Sequence, residues 1–392
     1  MQRESWDDQA SNAEQSYLTH GVFRYFGKLP PTLTRRILSE LNVGPGTTVA
    51  DVMCGSGTTV VEAVDLGAAA IGVDCNDLSA LITRVKTTPL TASRFEAIRL
   101  CLRREFADVL ASGEFPLAAG KAQRDTGSDT AKLGAPKIRN IDHWFHPTTI
   151  AVLVRLRAWL ETLPEGAERD AATVAFAASI RPASRASVRT GRLFVDVDKK
   201  LPNPVIEFER RLDRMQEAIA PLAEMAHWRK PQRTVMVGDA RSTGLEAGTA
   251  DVVFCHPPYF ALYRYSSDPL RFELDWLGLD RKVIASREVE DGFKTTDETL
   301  VRDHIKDMVD VAAEARRIAK PRGRLVVVTA DSTLRKERLD ILDPLTAEAS
   351  QVGWRLTRRI LRKVRYAQAS YHRSADQDIQ RPDDEILIFE AA

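Results

Sequence analysis

Four consecutive residues, His256, Pro257, Pro258 and Tyr259, combine groups that could hold a planar amine. They follow an apolar run that predicts a buried strand. Neither proline can donate a hydrogen bond to a sheet and both fix the φ angle, so the strand must stop here and present its last carbonyl groups rigidly. Those carbonyls can accept hydrogen bonds from an amino group while the tyrosine ring stacks on the attached heterocycle. A neutral His256 ring offers one further acceptor nitrogen. The sequence therefore predicts a site for an exocyclic amine.

A second candidate site lies in the stretch from Thr47 to Cys75. Its β-branched start predicts a strand, the Gly-Ser-Gly at 55–57 predicts a tight turn, and the residues from Thr58 onwards predict a helix. A second apolar strand then ends on Asp74. The N–H groups at the start of such a helix face a crevice, and a carboxylate at the end of the next strand can accept hydrogen bonds from both hydroxyls of a ribose. A nucleotide-binding crossover is therefore expected, although Val60 replaces the third glycine of the dinucleotide-binding fingerprint.

Four motifs carry a resemblance to one enzyme family. The pattern D-x-x-C-G-S-G-T-T, which begins at Asp51, resembles motif I of the S-adenosylmethionine-dependent methyltransferases, particularly those that act on nucleobase amino groups. The segment Phe26–Pro30 is similar to motif X, which precedes motif I in many of these enzymes. The residues from His256 to Tyr259 resemble motif IV, (D/N/S)-P-P-(Y/F/W), of the N6-adenine and N4-cytosine DNA methyltransferases. Asp239 matches the acidic position of motif III.

The resemblance implies S-adenosyl-L-methionine as the cofactor. It also implies an α/β class I methyltransferase fold, a Rossmann-like mixed seven-stranded sheet with helices on both faces and a helical insertion. In this family Asp51 would order the glycine turn, Asp74 would hold the ribose, and Asp239 would hold the adenine end. Motif X would pack against the methionine end. The residues implied to bind the cofactor are Phe26, Lys28, Pro30, Asp51, Cys54, Gly55, Ser56, Gly57, Thr58, Thr59, Asp74, Cys75, Asp239 and Ala240.

The same resemblance implies direct methyl transfer to the amino group of a flipped DNA base. His256 and the Pro257 carbonyl would engage the amino group, and Tyr259 would stack on the base, so that the implied catalytic residues are His256, Pro257, Pro258 and Tyr259. The chain departs from the family at His256, where the pattern has Asp, Asn or Ser. This departure leaves open whether the target is cytosine N4 or adenine N6.

Two arginine-rich runs are candidates for binding a polyanion. Four arginines between residues 181 and 192 recur every three or four positions, which would place them along one side of a helix or an irregular turn. The run from Trp354 to Arg373 contains no acidic residue and interleaves its cations with tyrosine. A solvated face is the alternative interpretation of the first run. The residues predicted to contact nucleic acid are Arg181, Arg185, Arg189, Arg192, Arg358, Arg359, Arg362, Lys363 and Tyr366.

Length and charge limit the organisation of the chain. A length of 392 residues predicts about two structural units, since one hydrophobic core rarely exceeds ~250–300 residues. We expect residues 1–98 to form the first half of a catalytic domain and 232–392 its second half. Residues 99–231 would be a mostly helical insertion and the candidate target-recognition region. A net charge of +1 argues against a uniformly basic nucleic-acid binder, so a binding surface must be local.

Other features point to a cytoplasmic protein without a metal. The four cysteines show no C-x-x-C spacing, which indicates neither a zinc site nor a disulfide framework. No apolar run approaches the ~20 residues of a membrane span, and the polar start is unlike a signal peptide. Residues 1–16 are expected to be frayed.

The sequence therefore predicts a DNA amino-methyltransferase, with two alternatives. An RNA base methyltransferase is one, since enzymes that modify guanine N2 of transfer RNA share the Pro-Pro-Tyr clamp. A catalytically weak nucleic-acid-binding homologue is the other, and His256 favours it. A dehydrogenase does not explain the His-Pro-Pro-Tyr sequence. Neither a recognition site nor a restriction or defence partner is indicated.

Overall fold

The structure, a computed structural model, describes residues 4–7, 14–120, 134–189, 191–229, 232–260, 264–289, 299–334, 337–363 and 383–392. No helix within these ranges has the length and apolar character needed to cross a bilayer. The helices are α1 (Pro31–Glu40), α2 (Thr58–Asp65), α3 (Asp77–Lys86), α4 (Ala92–Glu105), α5 (Ala107–Ala111), α6 (Ile141–Trp144), α7 (Pro147–Thr162), α8 (Ala167–Ala183), α9 (Pro204–Ile219), α10 (Ala226–Arg229), α11 (Arg271–Leu277), α12 (Arg281–Arg287), α13 (Thr299–Ile318) and α14 (Leu342–Gln351). The strands are β1 (Glu4–Asp7), β2 (Thr48–Asp51), β3 (Ala69–Asp74), β4 (Leu117–Ala118), β5 (Lys200–Leu201), β6 (Arg233–Val237), β7 (Ala250–Cys255), β8 (Ala319–Thr329), β9 (Ser332–Leu334), β10 (Glu337–Leu339), β11 (Trp354–Lys363) and β12 (Asp384–Ala391).

The main sheet has the order β1-β11-β12-β8-β7-β2-β3-β6. Strand β12 runs antiparallel to both its neighbours, and the other adjacent pairs are parallel. The order reverses direction around β2, because the chain first builds outward through β3 and β6 and then returns to add β7 and β8. The prediction of a Rossmann-like class I methyltransferase fold is confirmed. In the described residues the sheet has eight strands, one more than the seven expected.

The additional strand comes from the N-terminal residues that were expected to be frayed. β1 pairs in parallel with β11, and Trp6 lies opposite Arg362 in the register. Trp6 is 4% exposed, and the Arg36 guanidinium stacks 3.7 Å from the centre of its ring. Burial of this one large side chain stabilises a segment whose sequence is otherwise polar, so the expectation of fraying was wrong for Glu4–Asp7.

Helices cover both faces of the sheet, as the near-continuous apolar sequence of its central strands requires. Along β8, Val326 and Val328 belong to the same core as the buried side chains of α1 and α2. Their neighbours Leu325 and Val327 belong to a second core with α13 and α14. This alternation follows the period of two of a β-strand. The loops that carry the predicted motifs lie at the carboxyl ends of the parallel strands.

A third core joins helices between β3 and β6 with α11, which follows β7. It joins the buried faces of α3, α4, α7, α8, α9 and α11. Phe145, which precedes α7, packs edge-on against Phe272 and Trp276 of α11 at centroid distances of 5.1 Å and 5.5 Å. The helical core therefore includes two helices, α3 and α11, that lie outside the predicted 99–231 insertion.

Candidate active site

The turn between β2 and α2 can only be built from small residues. Gly55 and Gly57 have φ angles of +51° and +76°, in the left-handed region that favours glycine. A Cβ on Gly57 would lie 2.7 Å from the side chain of Thr83, so a larger residue would collide there. The amide of Gly57 donates to the carbonyl of Cys54 at 2.7 Å and closes the turn. We call residues 54–57 the glycine turn.

Side chains from neighbouring elements hold the glycine turn in place. One carboxylate oxygen of Asp74 accepts from the Gly55 amide at 2.7 Å, and the other accepts from the Asn76 amide at 2.9 Å. The Thr83 hydroxyl donates to the Gly55 carbonyl at 3.0 Å. The ammonium of Lys86, which is 1% exposed, donates to the Ser56 carbonyl at 2.5 Å. Thr83 and Lys86 are site residues that the sequence analysis missed, since nothing in the local pattern of α3 sets them apart.

Two carboxyl groups, that of the buried Asp51 and that of the half-buried Asp74, lie beneath this turn. Burial raises the pKa of Asp51 to about 7, although the Thr59 hydroxyl and the Met53 amide donate hydrogen bonds to its carboxylate. Burial likewise raises the pKa of Asp74 to about 6, against the effect of the hydrogen bonds from Asn76 and Gly55. Asp51 is therefore positioned to order the turn, and Asp74 lies at the end of β3 beside it.

The glycine turn leaves polar atoms available for a ligand. Among the described residues, the hydroxyls of Ser56 and Thr58 and the side-chain nitrogen Nδ2 of Asn76 are buried without a hydrogen-bond partner. Unsatisfied buried polar groups are rare in native structures and cost free energy unless a ligand or water meets them. Each Asp74 oxygen accepts one backbone N–H and retains a second acceptor position. This set of donors and acceptors fits a ligand with both hydroxyl and charged polar groups, as S-adenosylmethionine has.

The motif X segment reaches the turn through a tyrosine rather than through the predicted residues. The ring of Tyr25 lies 3.4 Å from the position of a Cβ on Gly55 and stacks on Tyr265 at 5.1 Å. The hydroxyl of Tyr265 donates to the Phe26 carbonyl at 2.7 Å. The ammonium of Lys28 donates to the His20 carbonyl at 2.7 Å, and burial lowers its pKa to about 8.

Other predicted cofactor residues sit at the ends of the neighbouring strands. Pro30 directly precedes α1. Cys75 follows β3, and burial raises the pKa of its thiol. Asp239 follows β6, where Arg241 binds both of its oxygens at 2.7–3.0 Å and also binds Asp307 at 2.9 Å. Hydrogen bonds from Arg241 offset burial and lower the pKa of Asp239, so this carboxylate stays ionised.

The His-Pro-Pro-Tyr sequence directly follows β7, as predicted. Pro257 is buried, whereas His256 and Tyr259 are half-buried. The His256 Nε2 lies 3.4 Å from the Tyr259 hydroxyl, and the two rings meet edge to face at 5.4 Å. The loop thus presents an imidazole and a phenol ring side by side.

Two contacts behind this loop hold it against the sheet. The buried Phe260 ring packs edge-on against the buried His304 of α13 at 5.3 Å. The Ser332 hydroxyl, from the start of β9, donates to the Phe260 carbonyl at 2.8 Å. We call residues 256–260 the Pro-Pro-Tyr loop. Ser332 and His304 are further residues that the sequence analysis missed.

The glycine turn and the Pro-Pro-Tyr loop lie at the same edge of the sheet. β2 and β7 are adjacent and parallel, and Asp51 pairs with Phe254 in their register. The amide of Val52 donates to the Phe254 carbonyl at 3.0 Å, just before both strands end. Both loops therefore begin within a few residues of one hydrogen-bonded pair. A ligand in the turn and a planar group on the Tyr259 ring would share one crevice.

Half of the first arginine run is structural. Arg181 and Arg185 are 6% and 7% exposed, and their guanidinium groups donate to backbone carbonyls. Burial lowers the pKa of Arg185. The prediction that these two residues contact nucleic acid was wrong, because α8 ends at Ala183 and the chain folds over both side chains. Arg189 and Arg192 are exposed.

The second arginine run lies on β11 and is paired with acidic residues that are distant in sequence. Arg358 binds Glu4 and Glu40, Arg359 binds Glu385 and Asp343, and Arg362 binds the buried Asp384. These pairs engage the three guanidinium groups within the fold, which corrects the interpretation of this run as a phosphate-binding surface. Lys363 is exposed at the end of β11. Tyr366 lies outside the described residues.

The chain is similar to known DNA methyltransferases over part of its length. Residues 2–82 match the sequence model of the DNA methylase family. The resemblance to the DNA amino-methyltransferases predicted from the motifs is confirmed over these residues. The type II methyltransferase M.MjaII of Methanocaldococcus jannaschii is 32% identical over 117 residues, which are 28% of this chain and 22% of that protein. The type II methyltransferase M.MvaI of Kocuria varians is 24% identical over 212 residues, 52% of this chain and 43% of that protein. The chain thus spans less than half the length of either relative.

Among solved structures, the chain is similar to a putative DNA modification methylase from Thermus thermophilus complexed with S-adenosyl-L-methionine. The two share 16% identity with a TM-score of 0.27, over 40% of this chain and 54% of that one. A score this low adds nothing to the fold assignment. The strand order and the one reversed strand establish the fold.

Proposed function

We propose that the chain is an S-adenosylmethionine-dependent methyltransferase that acts on an exocyclic amino group of a DNA base, cytosine N4 or adenine N6. The observation that carries the proposal is the position of the glycine turn and the Pro-Pro-Tyr loop on adjacent parallel strands, at one edge of the sheet. The match of residues 2–82 to the DNA methylase family supports it. The fold alone would not, since one fold serves many chemistries.

The cofactor supplies an electrophilic methyl group on a sulfonium. Asp74 accepts hydrogen bonds from the ribose hydroxyls with the acceptor positions that the Gly55 and Asn76 amides leave open. Asp239, kept ionised by Arg241, accepts from the adenine amino group, and the Ala240 backbone lies beside it. The hydroxyls of Ser56 and Thr58, with the flanking Cys54 and Thr59, line the turn. Phe26, Lys28 and Pro30 close the methionine end.

The chain's contribution to methyl transfer is positioning. The Pro257 carbonyl and the His256 ring nitrogen accept from the target amino group, while Tyr259 stacks on the flipped base. Pro258 fixes the backbone between them. Base–aromatic stacking contributes ~1–3 kcal/mol. Alignment of two reacting groups supplies up to about 7–11 kcal/mol of the barrier in well-oriented systems.

His256 replaces the Asp, Asn or Ser that its family has at this position, and a neutral imidazole can still accept one hydrogen bond. We therefore expect His256→Asn and His256→Asp to retain methyl transfer, because each restores an oxygen acceptor. His256→Ala should be slower, since the amino group then lacks a partner in a desolvated crevice. Single-turnover rates for the three variants test this role. Equal rates for wild type and His256→Ala would remove His256 from the mechanism.

The helical region around residues 99–231 remains our proposal for target recognition. Of the residues predicted to bind nucleic acid, the exposed Arg189, Arg192 and Lys363 stay in the proposal. The proposal no longer includes Arg181, Arg185 or the three paired arginines of β11. Their guanidinium groups bind other groups within the fold.

The test is to incubate the protein with methyl-labelled S-adenosylmethionine and separate pools of DNA and RNA, followed by nucleoside mass spectrometry. We expect label in N4-methylcytosine or N6-methyladenine from the DNA pool. Tyr259→Ala serves as the control with impaired transfer. Label confined to RNA would establish the alternative substrate. Absence of label from both pools, with the cofactor bound, would indicate a homologue that has lost activity.

A further inference from the structure

A short hairpin follows α8. Ala186 and Val195 form an antiparallel bridge. The amide of Ser187 donates to the Phe194 carbonyl at 2.9 Å, and the amide of Asp196 donates to the Arg185 carbonyl at 2.9 Å. We call the described residues 185–189 and 191–196 the arginine hairpin. Nothing in the sequence pattern predicted it, because its strands are too short to show a period.

A buried arginine organises this hairpin from inside. Arg181 donates to the carbonyls of Ser187 at 3.0 Å, Gly191 at 3.2 Å and Arg192 at 2.9 Å. At the base, the Lys199 ammonium donates to the carbonyls of Arg181, Ser184 and Ala186 at 2.7–3.0 Å. Two cationic side chains thus hold backbone carbonyls of this one short segment. These hydrogen bonds hold the backbone of the hairpin and thereby set the orientation of its own side chains.

The outer surface of the hairpin is cationic and partly aromatic. Arg189 and Arg192 are exposed, and Phe194 is 37% exposed. The exposed Arg24 adds a third cation, since its guanidinium donates to the Arg189 carbonyl at 2.9 Å. The acidic Asp196 lies at the base of the hairpin, where its amide closes the last hydrogen bond. Arginines beside an exposed ring match a ligand that offers phosphates and stackable bases.

The hairpin lies next to the candidate active site. Arg24 and Arg181 approach the Phe26 ring at 5.0 Å and 5.5 Å. Phe26 is joined through its carbonyl to Tyr265, which stacks on the Tyr25 ring beside the glycine turn. Arg181 also reaches the Pro269 carbonyl at 3.5 Å, in the segment that follows the Pro-Pro-Tyr loop. A duplex whose base enters the crevice would therefore pass close to the hairpin.

We propose that the arginine hairpin is a contact surface for duplex DNA on the flank of the active site. Arg189 and Arg192 bind backbone phosphates near the target base, and Phe194 makes an apolar contact with the exposed base or sugar. Arg181 is a positioning residue that acts through the hairpin backbone. This inference rests on the proposed function and adds the surface that holds the substrate.

The test measures binding to short DNA duplexes of random sequence, by fluorescence anisotropy across a range of salt. Arg189→Ala with Arg192→Ala should weaken binding, and the log–log salt slope should fall by up to about 1.8, or ~0.9 for each phosphate that is no longer neutralised. Phe194→Ala should weaken binding at least ~5-fold with the slope unchanged, because stacking is worth ~1–3 kcal/mol. The matched control is Arg94→Ala with Arg317→Ala, which removes two half-exposed arginines outside residues 99–231 from surface ion pairs.

The outcomes separate this inference from the proposed function. Wild-type affinity and slope in the hairpin double variant, or an equal loss in the control double variant, would overturn the hairpin's role. Methyl transfer to DNA by the wild type would leave the proposed function standing in either case. A wild type that binds the cofactor but neither binds duplex DNA nor methylates it overturns both. Unchanged S-adenosylhomocysteine affinity in each variant shows that the fold is intact.

Discussion

The glycine turn and the Pro-Pro-Tyr loop lie on neighbouring strands, yet they are held in different ways. Side chains from two other elements bind the turn through Asp74, Thr83 and Lys86 at 2.5–3.0 Å. The loop is constrained by its own proline rings and braced from behind at Phe260. A cross-linked turn suits a small ligand with fixed polar groups, whereas a loop braced at its far end leaves its front open to a base. The comparison predicts separable roles.

The largest effect is expected in the loop. Tyr259→Ala should slow methyl transfer by roughly 10- to 100-fold, because the base loses a stacking surface worth ~1–3 kcal/mol. Cofactor affinity should stay at the wild-type value, since the glycine turn is unchanged. Tyr259→Phe is the matched control and should stay within about 5-fold of wild type if the ring, rather than the hydroxyl, carries the effect. Single-turnover kinetics and calorimetry measure the two quantities. A parallel loss of cofactor affinity would show that the loop and the turn are not separable.

An effect of similar size is expected in the turn. Asp74→Ala should weaken S-adenosylmethionine binding by about 10- to 100-fold, because a charge-assisted hydrogen bond contributes ~1.5–3 kcal/mol. Asp77→Ala, which removes an exposed carboxylate from the first turn of α3, is the control and should bind normally. Calorimetry of a folded Asp74→Ala variant with wild-type affinity would remove Asp74 from the cofactor site.

Protonation of the same carboxylate predicts a pH dependence. The pKa of Asp74 is raised to about 6 by burial, so below that pH the carboxyl gains a proton and loses its charge and part of its acceptor capacity. Cofactor affinity should therefore fall as the pH drops through 6, by at most about 10-fold per pH unit. Asp74→Asn should bind more weakly at pH 8 and lose this dependence. Affinity that is constant from pH 5 to 8 would contradict the assignment.

The smallest effect is expected behind the loop. Ser332→Ala removes the 2.8 Å hydrogen bond to the Phe260 carbonyl. We expect a several-fold slower transfer at unchanged cofactor affinity, since a neutral hydrogen bond contributes ~0.5–1.5 kcal/mol. Ser350→Ala, which removes a hydroxyl from the exposed face of α14, is the control and should transfer at the wild-type rate. Equal rates in both variants would mean that the prolines alone hold the loop.

Much of this site is visible in the sequence because its determinants are local. Pro257 and Pro258 end a strand wherever they occur, and the glycines at 55 and 57 require a turn. Asp74 follows an apolar strand, so its place at the sheet edge could be inferred from the pattern alone. The α/β fold class was implied by the resemblance that these motifs carry, whereas the eighth strand was not expected.

The burial and ion pairing of the arginines could not be inferred from the sequence. Arg181 and Arg189 belong to the same run, in which arginines recur every three or four residues. Arg181 is nevertheless buried beneath a hairpin, whereas Arg189 is exposed. On β11 the run looks free of acidic partners because Glu4, Glu40 and Asp384 lie far away in sequence. Burial and pairing depend on the tertiary fold, which residue spacing does not encode. Tyr25 and Lys86 were missed for the same reason.

The most direct test of separable roles is a crossed rescue by cofactor. Single-turnover methyl transfer to DNA is measured for Asp74→Ala and Tyr259→Ala at rising S-adenosylmethionine concentration. The account predicts that saturating cofactor returns Asp74→Ala close to the wild-type rate, because its defect is in binding. Tyr259→Ala should stay slow at every concentration, because its defect is in holding the base. Rescue of Tyr259→Ala, or an Asp74→Ala variant that stays slow with the cofactor fully bound, would contradict it.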